Sequence, residues 1–202
     1  KSYSVIRKLF DLISERQLEW CYMDKNYDRI VFPDRFYDFN APKSRFIEDM
    51  ITYFPKEESA ILSYMNLVND AVKSSRSYFG QKVFSGILDS VTYPFMTRKF
   101  FKYSDQTTLD VLSSLTNNKK LIGVLTGQWG DYGLPPSQSS FAMHALVAGH
   151  YLDGGNYPQG TSRKIAETIS NVIEKNGGTL AVNAGVQEVL TSKGTAVGVL
   201  ME

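Results

Sequence analysis

The spacing of apolar residues predicts helices along most of the chain. Val5, Leu9 and Leu12 recur at helical intervals, so they are expected to form one apolar helix face. This periodicity predicts helices over residues 3–15, 44–54, 56–78, 107–117, 119–128, 139–152 and 162–176. Residues 83–101 are apolar and aromatic with Pro94 in their middle, and two short helices or irregular segments are expected there.

Polar residues before the apolar runs, and glycines or prolines after them, mark the expected helix ends. The expected N-caps are Ser44, Thr107 or Thr108, Ser137 or Ser139, and Thr161 or Ser162. The expected stops are Phe54 before Pro55, Gly80, Gly154-Gly155 and Gly177-Gly178. The helix over residues 139–152 is apolar on nearly every side and is therefore expected to be buried.

Short runs with strand character occur in two places. Near the start of the chain, residues 17–24, 29–33 and 35–39 have connections too short for a crossover, which predicts a small antiparallel meander. After residue 178, three more strands are expected around residues 180–182, 186–190 and 197–199, with a hairpin turn at Ser192-Lys193-Gly194. The predicted fold is α+β. A boundary near residue 155 separates a helix-rich domain with a small mixed or antiparallel sheet from a helix with short strands.

Composition limits the class of protein. The 202 residues carry a net charge of +1, which argues against an electrostatic nucleic-acid binder. No apolar run approaches the roughly 18 residues of a membrane span, although contact with a membrane surface stays open. The single cysteine, Cys21, excludes an internal disulfide and favours a reducing, cytoplasmic compartment. The chain ends inside a predicted strand, so we expect a piece of a longer protein.

Few side chains suggest chemistry by their pattern. His144 and His150 are six residues apart and do not share a helix face, so no metal site is expected and a buried, hydrogen-bonded histidine is favoured. Residues 155–162 nearly spell a phosphate-binding loop but lack its lysine, and no GxGxxG fingerprint occurs. His144 and Tyr157 remain weak candidates for acid–base catalysis, with a structural role favoured for each.

One stretch carries a family resemblance. Its residues are Gly130-Asp131-Tyr132-Gly133-Leu134-Pro135-Pro136, Ser140-Phe141, His144, His150-Tyr151, Gly154-Gly155, Tyr157-Pro158-Gln159-Gly160, Ile165, Ile173-Glu174, Gly177-Gly178, the pattern Ala184-x-Val186-x-x-Val189, and Ala196-Val197-Gly198-Val199. In this order they resemble the FAD-dependent group of phytoene desaturases, carotenoid isomerases and retinol saturases. Residues 1–128 match more loosely, chiefly at Arg29 to Asp34 and Phe54 to Glu57.

The resemblance implies a flavoprotein that moves hydride between a carbon–carbon bond of an apolar polyene and FAD, or isomerises the polyene. Residues 1–155 would be its substrate domain and residues 156–202 part of its FAD-binding domain. Tyr157, Pro158 and Gly160 match the turn expected near the flavin ring, and Val186 matches the residue whose backbone meets the adenine. Where the family has a second glycine, this chain has Thr161, whose side chain is expected to crowd the cofactor.

Three functions remain open on this basis. The first is an FAD-dependent oxidoreductase. The 202 residues alone are expected to be inactive, because most of the FAD site is absent from them. The second is a non-catalytic domain that binds an apolar ligand or a partner. The third is an amine oxidase-type flavoenzyme, which shares the strand pattern after residue 155. Substrate identity, electron acceptor and oligomeric state do not follow from the sequence.

Overall fold

The computed structural model describes residues 5–81 and 87–202. In chain order the helices are α1 (Val5–Ile13), α2 (Lys43–Tyr53), α3 (Glu58–Gln81), α4 (Ile87–Ser104), α5 (Thr108–Leu115), α6 (Lys119–Leu125), α7 (Phe141–Tyr151) and α8 (Arg163–Lys175). The strands are β1 (Trp20–Tyr22), β2 (Asn26–Val31), β3 (Phe36–Asn40), β4 (Asn156–Pro158), β5 (Val186–Ser192) and β6 (Thr195–Met201). Long helices with small antiparallel strand pairs confirm the predicted α+β class.

The described chain divides into two compact units. The larger unit is Tyr22–Asn156, and the smaller one joins the described residues up to Cys21 with Tyr157–Glu202. The β2–β3 hairpin opens the larger unit, with Arg29 opposite Asp38 across its ladder. The β5–β6 hairpin ends the smaller unit, and β1 pairs with β4.

The hydrophobic core lies in the larger unit. Its fully buried members come from α2, α3, α5, α6 and α7 and include Met50, Ile61, Val68, Leu112, Leu121, Val124, Phe141 and Ala145. Aromatic side chains of the β2–β3 hairpin close one side of this core, because Tyr37 stacks on Phe54 and Phe39 meets Phe46 edge-on. The core therefore fixes α3 and α7 against each other, and these helices carry the polar cluster described below.

Several local predictions are confirmed. Thr107 caps α5 by accepting an amide hydrogen bond in its first turn, and α2 ends at Tyr53, with Phe54 as its C-cap directly before Pro55. Gly177 has φ 80°, and the amide hydrogen bonds after α8 close a Schellman motif. Lys193 and Gly194 have φ 50° and 76°, the backbone of a tight hairpin turn between β5 and β6.

Two predicted N-caps are wrong. α2 begins one residue before Ser44, and Pro42 occupies the cap position without a side-chain hydrogen bond. α7 is capped by Ser140, whose hydroxyl accepts an amide hydrogen bond. Ser139 is unsuited to that role because its hydroxyl is 2.9 Å from the hydroxyl of Thr108, in a contact with a different helix. At α7 the choice between Ser139 and Ser140 thus depends on the tertiary contact of Ser139, which a linear pattern does not contain.

Other corrections concern chain continuity and strand pairing. α3 passes through Gly80, which has an ordinary helical φ there, and α4 is one helix that spans position 94. Residues 82–86, part of the predicted irregular segment, lie outside the described residues. β1 pairs with β4 and not with the β2–β3 hairpin, so the three-stranded meander is wrong. Residues 180–182 form no strand in the described part of the chain.

Within residues 5–81 and 87–202, no helix combines the length and apolar character needed to cross a membrane.

Candidate functional site

His144 is the centre of a buried polar cluster in the larger unit. It lies on α7 and is 1% exposed. Its Nε2 is 2.8 Å from the hydroxyl of Tyr64 on α3, and its Nδ1 is 3.1 Å from the hydroxyl of Tyr132 in the segment before α7. Both ring nitrogens are therefore hydrogen-bonded to protein groups, as the sequence predicts for a buried histidine.

The cluster is neutral at physiological pH. Burial lowers the pKa of His144 to about 4, because the charged imidazolium would lose its hydration. Burial also raises the pKa of Tyr64 and of Tyr132 above the ordinary value of a tyrosine. A neutral imidazole has one N–H, so one tyrosine accepts from His144 while the other donates to it.

The two tyrosines that bind His144 were missed by sequence reasoning. Tyr64 is 80 residues away along the chain and appears in a helical stripe of core residues. Tyr132 belongs to the stretch that carries the family resemblance, but nothing in its spacing to His144 predicts a hydrogen bond. The only available signal was the rarity of a histidine in an apolar helix, which indicates that polar partners must come from elsewhere.

The second candidate site is the turn between β4 and α8 in the smaller unit. Tyr157 is 49% exposed, Pro158 is buried and Gly160 has φ 83°. The hydroxyl oxygen of Tyr157 accepts a hydrogen bond from the amide of Ser162, 3.3 Å away. The hydrogen of the Tyr157 hydroxyl therefore remains available to donate, beside the start of a helix.

Thr161 gives this turn an unusual backbone. Its φ is 82°, in the left-handed region that glycine occupies readily and that a β-branched residue avoids. Gly160 and Thr161 are thus two consecutive left-handed positions, so the turn has the backbone of a two-glycine turn. The side chain of Thr161 is exposed. Thr161 therefore has a backbone conformation that glycine readily adopts, and it adds a side chain to the turn.

Val186, the remaining candidate, begins β5 in the same unit as the turn. It is 49% exposed and faces Met201 across the hairpin ladder. The hairpin is exposed along its whole length although both strands are rich in valine and leucine. Exposed apolar strands of this kind have side chains available for a cofactor or for further protein.

A metal centre has no support in the described residues. Among them, no group of three or more His, Cys, Asp or Glu side chains is arranged to hold a metal ion. His150 is exposed, and its ring lies edge-on to Tyr151 with centroids 5.5 Å apart. His144 is occupied on both nitrogens by tyrosine hydroxyls.

Comparison with known proteins identifies relatives along nearly the whole chain. The chain is 30% identical to a Danio rerio all-trans-retinol 13,14-reductase over 215 residues, and 32% identical to the Homo sapiens protein of that name over 206 residues. These alignments cover 98% and 97% of the chain. The chain is similar to all-trans-retinol 13,14-reductase, also called retinol saturase. The resemblance predicted from the sequence motifs is therefore confirmed.

The similarity has two limits. This retinol saturase-like chain spans 34% of the length of each of those two relatives. It is also 26% identical, over 204 residues, to a Danio rerio protein named inactive all-trans-retinol 13,14-reductase. No protein-family model matches the chain.

Proposed function

We propose that the chain is part of an FAD-dependent oxidoreductase that acts on carbon–carbon double bonds of an apolar polyene, with a retinoid as the first substrate to test. One observation carries this proposal: the chain is similar along nearly its whole length to two proteins named for reduction of all-trans-retinol. Because it spans about a third of their length, the activity, substrate and cofactor of the whole protein are all part of the proposal.

The two parts of the chain take different roles in this proposal. Residues 1–155 contribute walls around the substrate, and residues 156–202 return into the FAD-binding domain. The division of the described chain between Asn156 and Tyr157 supports the boundary in this assignment, although the described residues up to Cys21 group with Tyr157–Glu202. The exposed apolar strands β5 and β6 support it as well, because such strands are expected to be covered by further protein.

The turn between β4 and α8 is the proposed flavin contact. A flat ring can approach the backbone closely where Gly160 has no side chain, and the exposed ring of Tyr157 offers a surface beside it. When bound, a flavin accepts or supplies the hydride of the reaction. Tyr157 can donate its hydroxyl proton to a polar atom of cofactor or substrate, since its oxygen already accepts from Ser162. Val186 is the proposed contact for the adenine end.

His144 has a different part in this proposal. Both of its nitrogens are occupied and it is buried, so it holds Tyr64 and Tyr132 in place and does not contact the reacting atoms. Of the two weak catalytic candidates, the exposed Tyr157 is the one that a substrate can reach.

Glycine substitutions test the proposed cofactor contact. Gly160→Ala adds a methyl group where φ is 83°, 3.3 Å from the Lys164 side chain. Gly194→Ala is the matched control, because φ is 76° there and nothing lies within 4 Å of the added methyl. In the complete protein, we expect Gly160→Ala to lower the bound flavin measured by absorbance, and Gly194→Ala to retain it. Equal flavin content in both variants would contradict the assignment of this turn.

A non-catalytic domain that binds an apolar ligand is the second candidate. The relative named inactive favours it, because that protein shares the same stretch. The two functions predict different results for the purified complete protein. The oxidoreductase carries flavin and consumes a retinoid, whereas the binding domain retains a retinoid unchanged and has no flavin absorbance.

A further inference from the structure

The histidine cluster of the larger unit has one end in the core and the other end near the surface. Tyr64, on α3, is buried in the core, whereas Tyr132 is half-buried in the segment before α7. His144 lies between them, with Nε2 2.8 Å from the Tyr64 hydroxyl and Nδ1 3.1 Å from the Tyr132 hydroxyl. The three side chains therefore form a hydrogen-bonded chain that begins in the core and ends at a half-buried phenol.

The burial of Tyr64 determines the direction of these hydrogen bonds. A buried hydroxyl hydrogen without an acceptor is costly, because it loses its hydrogen bond to water and gains none in return. Among residues 5–81 and 87–202, His144 Nε2 is the atom within hydrogen-bonding distance of the Tyr64 hydroxyl. Tyr64 therefore donates to Nε2, which carries no hydrogen. Because a neutral imidazole has one N–H, the hydrogen of His144 is on Nδ1.

Tyr132 is then an acceptor at the outer end of the chain. The Nδ1–H group of His144 donates to its hydroxyl oxygen. Burial raises the pKa of Tyr132, and a side-chain hydrogen bond with Ser139 opposes that rise, as a second donor to the same oxygen does. The Tyr132 hydroxyl keeps its proton at physiological pH, and His144 does not use that proton. Since Tyr132 is half-buried, its hydroxyl hydrogen can be donated to a group outside the protein.

The chain on either side of Tyr132 is suited to an apolar ligand. Trp129 and Leu134 are both exposed. The amides of Tyr132 and Gly133 donate to the carbonyl of Trp129, at 3.3 and 3.0 Å, so the backbone itself closes the turn that carries these side chains. Sites for small molecules combine apolar side chains with a few placed polar groups. A phenol donor flanked in the chain by an exposed tryptophan and an exposed leucine matches that composition.

We propose that Tyr132 donates a hydrogen bond to the oxygen atom of a bound apolar alcohol, and that His144 and Tyr64 are positioning residues that leave the Tyr132 hydrogen free for it. The inference rests on the proposed function, in which residues 1–155 surround the substrate, and it adds the residue that recognises the polar end of that substrate. Such a donor favours an alcohol over a hydrocarbon of the same shape, because the hydrocarbon leaves the phenol hydrogen without an acceptor.

Ligand binding to the complete protein tests this contact. The probes are all-trans-retinol and a hydrocarbon polyene of the same length that lacks the hydroxyl group, and affinities are measured by quenching of tryptophan fluorescence. We expect Tyr132→Phe to weaken retinol binding by roughly 3–10-fold, the effect of one neutral hydrogen bond, and to leave hydrocarbon binding unchanged. Tyr93→Phe, at an exposed tyrosine of α4, is the control and should change neither affinity.

The outcomes separate this inference from the proposed function. Equal retinol affinity in the wild-type protein and in Tyr132→Phe would overturn the inference and leave the proposed function standing. An equal loss of affinity for both probes would also overturn it, because it would indicate a structural role for Tyr132. A wild-type protein that binds neither probe would instead contradict the proposed function, and the inference with it.

The direction of the hydrogen bonds is tested in the wild-type protein, which requires no substitution at Tyr132. NMR of the complete protein with isotope-labelled histidine distinguishes a protonated ring nitrogen from an unprotonated one, and the signals of His144 are those missing from His144→Gln. We expect His144 to carry its hydrogen on Nδ1. A hydrogen on Nε2 would overturn the inference, because Tyr132 would then donate to His144 and have no hydrogen for a ligand.

Discussion

Replacing Thr161 by glycine is expected to stabilise the protein, because the threonine has a φ of 82°. The left-handed conformation costs an L-residue roughly 1–2 kcal/mol. Glycine avoids that cost but loses more backbone entropy on folding, which removes roughly 0.5–1 kcal/mol of the gain. The threonine side chain is exposed, so little packing is lost with it. The carbonyl that accepts from the Lys164 amide at 3.1 Å is unchanged.

The net gain for Thr161→Gly is therefore about 0.5–1 kcal/mol. For a chain of this length, that corresponds to an increase in Tm of about 1–4 °C. Thermal unfolding followed by circular dichroism, with urea unfolding as a second measure, is sufficient to detect it.

The neighbouring position provides the control for this prediction. Ser162 has φ −59°, in the ordinary helical region, and its side chain makes no capping hydrogen bond. Ser162→Gly therefore relieves no strain and is expected to destabilise by about 0.5 kcal/mol through backbone entropy alone. If Thr161→Gly destabilises the protein as much as Ser162→Gly does, the strain assigned to Thr161 is refuted.

Three further predictions concern the larger unit. His144 has a pKa of about 4 when folded and about 6.5 when unfolded, so the unfolded state binds more protons between these values. Stability should therefore fall by roughly 3 kcal/mol as the pH drops from 6.5 to 4, and urea titrations of His144→Gln should lack this part of the loss. Tyr64→Phe removes a buried partner of His144 Nε2 and should cost about 1–3 kcal/mol in urea unfolding, with unchanged secondary structure. Glu57→Ala removes a carboxylate that accepts from two side chains before α6, and should cost about 1–3 kcal/mol against near zero for Lys56→Ala.

Local chemistry accounts for the parts of the fold that the sequence predicts well. Thr107 caps α5, Pro55 ends α2 and Lys193-Gly194 forms a hairpin turn because each effect acts within four residues of chain. Helical stripes of apolar residues are similarly local and predict α3, α5 and α7. These signals were sufficient for the α+β class.

Long-range pairing accounts for what the sequence does not predict. β1 finds its partner in β4, more than 130 residues later in the chain, and no local pattern of Trp20–Tyr22 specifies that choice. The hydrogen bonds of His144 likewise come from α3 and from the segment before α7. The left-handed backbone at Thr161 is a further case, because threonine itself gives no signal for it and only the resemblance pointed to a glycine position.

The most direct test of the proposed function uses the purified complete protein with its flavin in the reduced state. This protein is incubated with all-trans-retinol in the absence of oxygen, and the products are separated by chromatography. The account predicts that a double bond of the retinoid becomes saturated as flavin absorbance returns, and that Tyr157→Phe slows this conversion. A flavin-loaded protein that binds the retinoid and leaves both retinoid and reduced flavin unchanged would contradict it.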